Sequence, residues 1–140
     1  MRLNYDCVRD VLLVLEELLT IEYDEDSESF ELNTVDINEV YDSLSDTNYT
    51  IEDVLYAVKN LDEADFISAS IDYGDGCITD CIIDNITYEG NEFINKIRPI
   101  DMWSKIRNGF IKVGSVSLPI ISEIATSLTT SFISSRLGLS

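Results

Sequence analysis

Two apolar runs divided by one tight turn place the strongest constraint on how this chain can fold. Ile67, Ala69, Ile71 and Tyr73 alternate with polar residues up to Gly74-Asp75-Gly76, and the run from Cys77 to Ile83 leads away from it. Alternation is the period of a strand, whose side chains point to opposite faces in turn, and a glycine-rich connection supplies the positive φ angles of a hairpin turn. An antiparallel hairpin over 67–83 therefore sits mid-chain, and the flanking segments must cover its apolar face.

Helical periodicity supplies that cover. Val8, Val11, Leu12, Leu15, Leu18 and Leu19 recur at helical spacing over 5–19, with Asn4 as N-cap. The stretch from Ile21 to Ser29 is acidic and short of apolar anchors, which predicts a loop, and Phe30-Glu31-Leu32 predicts a short strand after it. A second helix is predicted from Asp36 to Ser43 or Leu44, with Ile37, Val40, Tyr41 and Leu44 on one face, and Ser45-Asp46-Thr47-Asn48 as a turn. Thr50 then caps a third helix, with Asp53 three residues on, an apolar face of Ile51, Val54, Leu55, Val58 and Leu61, and a frayed end near Ala64-Asp65. Beyond the hairpin, helices are predicted from Thr87 to the stop at Pro99, over 101–113, and from Leu118-Pro119 onward, proline being tolerated in a first turn.

This order of elements is that of a winged helix-turn-helix domain, with 36–44 and 51–64 as the helix pair and 66–84 as the wing. The fold class expected is α+β, a winged helix-turn-helix-like domain over 1–98 with additional C-terminal helices over 99–140 that serve packing or dimerisation. Leu61-Asp62-Glu63-Ala64-Asp65-Phe66-Ile67 is similar to the phrase that closes the recognition helix in such domains, although Asp65 stands where glycine is common and predicts a less sharp helix end. Ile86-Thr87-Tyr88-Glu89-Gly90-Asn91-Glu92-Phe93-Ile94 is similar to the phrase that follows the wing. Together with Trp103, Lys105, Val113-Gly114 and Leu137-Gly138-Leu139, these phrases make the chain resemble, over almost its whole length, a bacterial and prophage family of unknown function. The resemblance implies a phage or mobile-element setting, and no activity or site residues.

Charge decides between functions. The chain carries 27 acids against 9 bases, a formal charge of −18, and 25 of the acids with only three bases lie in residues 1–95. Such a field repels phosphate and attracts basic protein surfaces. A DNA-reading helix offers Arg, Lys, Asn or Gln to base edges among phosphate contacts. Here the third helix offers Glu52, Asp53, Asp62, Glu63 and Asp65 against Lys59, and the wing adds Asp72, Asp75, Asp80 and Asp84 without a base. Asn60 and Tyr56 could reach bases, with nothing to hold them there.

Other chemistry falls away residue by residue. The chain has no histidine, which excludes Ser-His-Asp and Cys-His triads and imidazole metal ligation. Asp24, Asp26 and Glu28 imitate alternate ligands of a calcium loop, but Ser29 replaces its glycine and Val35 its final glutamate, so no metal and no cofactor is expected. Cys77 and Cys81, four apart on one strand, should face the same way about 13 Å apart, too far to bond, with buried structural roles for both and for Cys7. An odd count of three cysteines and a start with acids too early for a signal peptide point to the cytoplasm. With so many acids, proximity of two carboxylates says little about catalysis, and the chain reads as non-enzymatic.

The C-terminal stretch 118–137 is too rich in Ser and Thr to span a membrane. Its apolar stripe, Ile120, Ile121, Ile124, Leu128, Phe132 and Ile133, reads as a packing or homodimer surface. Lys105, Arg107 and Lys112 nearby could meet the acidic body of the same or another subunit. The leading reading is an acidic module docking on a basic host or phage protein through Glu52, Asp53, Asp62, Glu63, Asp65, Asp72, Asp75 and Asp80, with 22–31 as the next contact. In the implied phage setting it would be a nucleic-acid-mimicking decoy of the anti-CRISPR or anti-restriction kind. The alternative is a homodimeric winged-helix transcriptional regulator.

Overall fold

The structure is a computed structural model that describes residues 1–111, 114 and 116–138, Ile111 by its backbone alone. The expected roles of Lys112, Val113 and Leu139 lie outside the described residues. Among the described residues, six helices and two small antiparallel sheets make a mixed α+β fold.

Helix α1 (Tyr5–Leu18) begins where the Asn4 side chain accepts the Cys7 N–H at 3.1 Å. It buries Cys7, Val8, Val11, Leu12 and Leu15, the face its spacing predicts. The loop expected after it is instead a hairpin, β1 (Ile21–Asp24) paired with β2 (Ser29–Leu32). Ile21-x-Tyr23 and Phe30-x-Leu32 carry a strand period that the density of interleaved acids hides. Asp24 Oδ1 accepts the Asp26 N–H at 3.0 Å to close the turn, and the Asn33 side chain donates to the Leu18 carbonyl at 3.0 Å to tie the base of the ribbon to α1.

Strand β3 (Val35–Asp36) leads into α2 (Ile37–Ser43). Asp36 is the cap rather than the first helical residue, its carboxylate accepting the Asn38 N–H at 2.8 Å. In α3 (Ile51–Glu63) the expected cap is reciprocal: Thr50 Oγ1 accepts the Asp53 N–H at 3.1 Å and Asp53 Oδ2 accepts the Thr50 N–H at 3.0 Å. The far end corrects the expectation of fraying. Asp65 takes a left-handed φ of 62°, and the N–H groups of Phe66 and Asp65 donate to the carbonyls of Leu61 at 2.9 Å and Asp62 at 3.0 Å. That paired closure ends the helix sharply, because aspartate tolerates the left-handed region better than most residues and so takes the place usual for glycine.

Strands β4 (Ile67–Gly74) and β5 (Cys77–Ile86) form the expected hairpin around Asp75 and Gly76, whose φ angles of 52° and 79° suit a two-residue turn matched to the twist of the strands. The sheet order is β3-β5-β4. Register slips at two points: Asp72 pairs with Asp80 while Tyr73 pairs with Ile78, leaving Thr79 extra, and Asp84 is extra lower down. The bulge at Thr79 corrects the reading of the cysteines, since one additional residue reverses which way the strand's side chains point. Cys81 is buried and Cys77 is exposed.

Helix α4 (Tyr88–Ile97) is capped by Thr87, which also donates to the Asp65 carbonyl at 2.6 Å. Its Phe93 stacks on Phe66 with centroids 4.8 Å apart. Beyond Pro99, α5 (Ile100–Ile111) buries Trp103, Ile106 and Phe110, and α6 (Leu118–Arg136) buries Leu118, Ile121 and Ala125 in the same hydrophobic cluster as α1, α3 and α4. Tyr5 and Phe110 meet edge to face at 4.7 Å, and the Trp103 indole N–H donates to Asp6 at 2.9 Å.

Candidate acidic interface

The eight carboxylates expected to form one docking face divide by what holds them. Asp53 is bound into the α3 cap, and Asp62 accepts the Ala69 N–H at 3.0 Å, joining the end of α3 to β4. Both therefore serve the fold. Glu63 pairs with Lys59 one helical turn earlier, and its hydrogen bond holds the Lys59 ammonium above the usual lysine range. Asp80 is exposed and accepts the N–H of its neighbour Cys81 at 2.9 Å. Glu52, Asp65, Asp72 and Asp75 are exposed, and among the described residues no cation pairs with any of the four.

The hairpin sets Asp72 directly opposite Asp80. Like charges across a strand pair are destabilising, by a few tenths of a kcal/mol to about 1 kcal/mol. Helix and hairpin also adjoin: Ile78 of β5 and Glu52, Leu55, Tyr56 and Lys59 of α3 line one shallow cleft of about 170 Å³. A larger cleft of about 410 Å³ lies between the end of α3 and the start of α6, lined by Tyr56, Asn60, Glu63, Leu118 and Pro119 among others. The Asn60 amide, a possible base reader, donates to the Tyr56 carbonyl of its own helix at 2.8 Å. This surface presents negative charge around a small apolar floor.

Three cations of the C-terminal third, Lys96, Arg98 and Arg107, go elsewhere. Arg107 bonds both carboxylate oxygens of Asp6 at 2.9 Å, Arg98 pairs with Glu16, and Lys96 donates to Thr126 Oγ1 at 2.9 Å. Arg107 thus meets the acidic body of its own chain, on α1 and away from α3 and the wing.

The stripe expected for dimerisation faces two ways. Ile121 packs inside the chain, Ile124 and Leu128 are half-buried against the core, and Ile120 and Phe132 are exposed. Four further apolar side chains, Ile21, Tyr23, Phe30 and Leu32, stand exposed on the β1–β2 ribbon, where the surrounding acids had pointed to a loop. Their alternation was the available signal.

The cysteines differ in reach. Burial, with Asp53 and Asp10 adding to it, pushes the Cys7 thiol up from 9.0 to about 12, and burial with Asp36, Asp80 and Asp62 pushes Cys81 up to about 11. Both stay protonated at pH 8, and only a thiolate attacks a disulfide reagent. A disulfide reagent at pH 8 is expected to titrate Cys77 alone in the folded chain and all three thiols after denaturation. Rapid reaction of a second thiol in the native state would contradict this placement.

Among the described residues, no helix is long and apolar enough to cross a membrane, and no three potential ligands gather as a metal site. A family model described as a hypothetical protein (DUF2513) matches residues 2–117. No curated protein and no solved structure matches the chain.

Proposed function

The chain belongs to the DUF2513 family of hypothetical proteins, and we propose from its surface that it is a non-enzymatic interaction module that docks on a basic protein surface. The observation that carries the reading is the set of exposed carboxylates on α3 and the β4–β5 hairpin, Glu52, Asp65, Asp72, Asp75 and Asp80, left without a cation among the described residues. The opposed pair Asp72 and Asp80 costs stability where it stands, which a solubilising role alone does not require, since scattered charge would serve that end as well. Carboxylates fixed on a rigid helix and hairpin can stand in for backbone phosphates, so the module is a decoy for a protein that grips nucleic acid. A phage or prophage setting, with a host defence protein as target, is the concrete form of this proposal.

The domain type proposed is a winged helix. The sheet order β3-β5-β4, with α2 and α3 between β3 and β4, supports it. The same order favours the second reading, a homodimeric regulator of DNA. Against it stand the sign of the α3 surface and the intrahelical bond that occupies Asn60.

The test pairs two measurements. Random duplex DNA is expected not to bind the chain in a filter assay at moderate salt, whereas the chain is expected to displace duplex from a cationic DNA-binding protein and to lose that ability as salt rises. Neutralising the exposed acids together (Glu52→Gln, Asp65→Asn, Asp72→Asn, Asp75→Asn) should weaken displacement at least tenfold, or about 1.4 kcal/mol. Tight binding of duplex by the chain itself, or unchanged displacement by the neutralised variant, overturns the proposal.

A further inference from the structure

The ribbon of β1 and β2 has two unlike faces. Register sets Ile21 against Leu32 and Tyr23 against Phe30, so all four point to one side, while Glu22, Glu31, Asp24 and Ser29 point to the other. The apolar side is open: Ile21 is 67% exposed, Tyr23 54%, Phe30 75% and Leu32 55%. Tyr23 and Phe30 lie with ring centroids 5.1 Å apart, which fixes the outer half of the face. At its base Ile21 and Leu32 line a cleft of about 210 Å³ together with Leu19 and Ile86.

A contiguous exposed apolar face on an isolated hairpin is a liability unless something covers it. Charge identifies the occupant. Residues 22–31 hold six acids, Glu22, Asp24, Glu25, Asp26, Glu28 and Glu31, and no base, and Glu25, Asp26 and Glu28 lie in the turn between the two strands. A second copy packing ribbon to ribbon would bring two such acidic sets together, within a Debye length of each other. An anionic lipid surface meets the same repulsion. A positively charged segment with apolar side chains covers the apolar face while its charge meets the acidic turn at the ribbon's tip and the field of the acids behind it.

We propose that the β1–β2 ribbon is the docking platform for a cationic amphipathic protein segment whose apolar side chains cover Ile21, Tyr23, Phe30 and Leu32. This rests on the reading of the chain as an acidic interaction module and adds the partner's chemistry: basic at its edges and apolar at its centre. The ribbon supplies the part of the affinity that survives salt, and the acids around it supply steering.

The test uses two labelled peptides of equal charge, one an amphipathic lysine–leucine sequence and one oligolysine, titrated with the full chain by fluorescence anisotropy. The amphipathic peptide is expected to bind at least tenfold tighter, and to keep most of that advantage at high salt. Phe30→Thr with Leu32→Thr, which introduces strand-favouring β-branched residues, should abolish the advantage; Phe30→Trp, which keeps the apolar area, should preserve it. Equal affinity for the two peptides, or an advantage untouched by the threonine variant, overturns the ribbon's role. So does self-association in sedimentation that the threonine variant abolishes, or binding to phosphatidylserine vesicles in place of the peptide. If both peptides bind equally and the neutralised α3 and wing variant loses both, the acidic module stands and only the ribbon fails. If neither peptide binds at low salt, both readings fall.

Discussion

Replacing Gly90 with alanine is expected to destabilise the fold by about 3 kcal/mol, at the upper end of what overpacking costs. A Cβ at this position would lie 1.8 Å from the Phe66 carbonyl oxygen and 2.9 Å from Cγ2 of Ile86. The obstacle is backbone, and it is held: the same carbonyl accepts the Thr87 N–H at 3.1 Å, so moving it away breaks the bond that joins the start of α4 to the root of the wing. Helix propensity alone argues the other way, favouring alanine by about 1 kcal/mol inside a helix. The sign of the effect therefore separates close approach from propensity. Gly109 is the control. An added Cβ there meets only Cγ2 of Ile124 at 3.9 Å, an ordinary contact, and Gly109→Ala is expected to stabilise by a few tenths to about 1 kcal/mol. Urea midpoints of the two variants against the parent chain decide the matter, and a Gly90→Ala chain as stable as the parent would refute the packing described.

Phe110→Ala is the second large effect, a loss of about 3–5 kcal/mol. Phe110 is 2% exposed, meets Tyr5 edge to face, and lies 6.3 Å from the Trp103 ring. It joins α5 to the first turn of α1, across the boundary that charge and composition suggest near residue 98. A chain whose C-terminal helices fold with the body should melt in one transition, and that whole transition should shift in the variant. Two transitions by calorimetry, with only one displaced by Phe110→Ala, would instead show residues 99–140 folding as a separate unit.

Elements with strong local signals are legible in the amino-acid sequence. The Thr50 and Asp53 cap, the Asp75-Gly76 turn and Pro119 in its first turn are short-range chemistry, and each is where the residues imply. Other features depend on more than local pattern. The β1–β2 ribbon is obscured because charge counts toward loop while alternation counts toward strand, and six acids outweigh four apolar residues. The bulge at Thr79 leaves no mark in composition, so the fate of Cys77 does not follow from spacing. Asp65 stands out as an oddity whose effect is the reverse of fraying, since its left-handed backbone closes the helix. In the acidic face, residue type identifies the charge, but only hydrogen bonding distinguishes Asp53 and Asp62, committed to the fold, from Glu52, Asp65, Asp72 and Asp75.

The Arg9 guanidinium donates from Nε to the Ile97 carbonyl at 2.9 Å and from a terminal nitrogen to the Arg98 carbonyl, at the end of α4, where the last carbonyls lack partners within the helix. A planar fork can reach two carbonyls at once, and a lysine ammonium reproduces that geometry poorly. Arg9, Arg98 and Arg107 are thus each tied to a structural duty despite the lopsided charge around them. Lys105, whose side chain is exposed, can be exchanged at far less cost to the fold than these three arginines, so the architecture itself keeps some positive charge in an otherwise acidic chain.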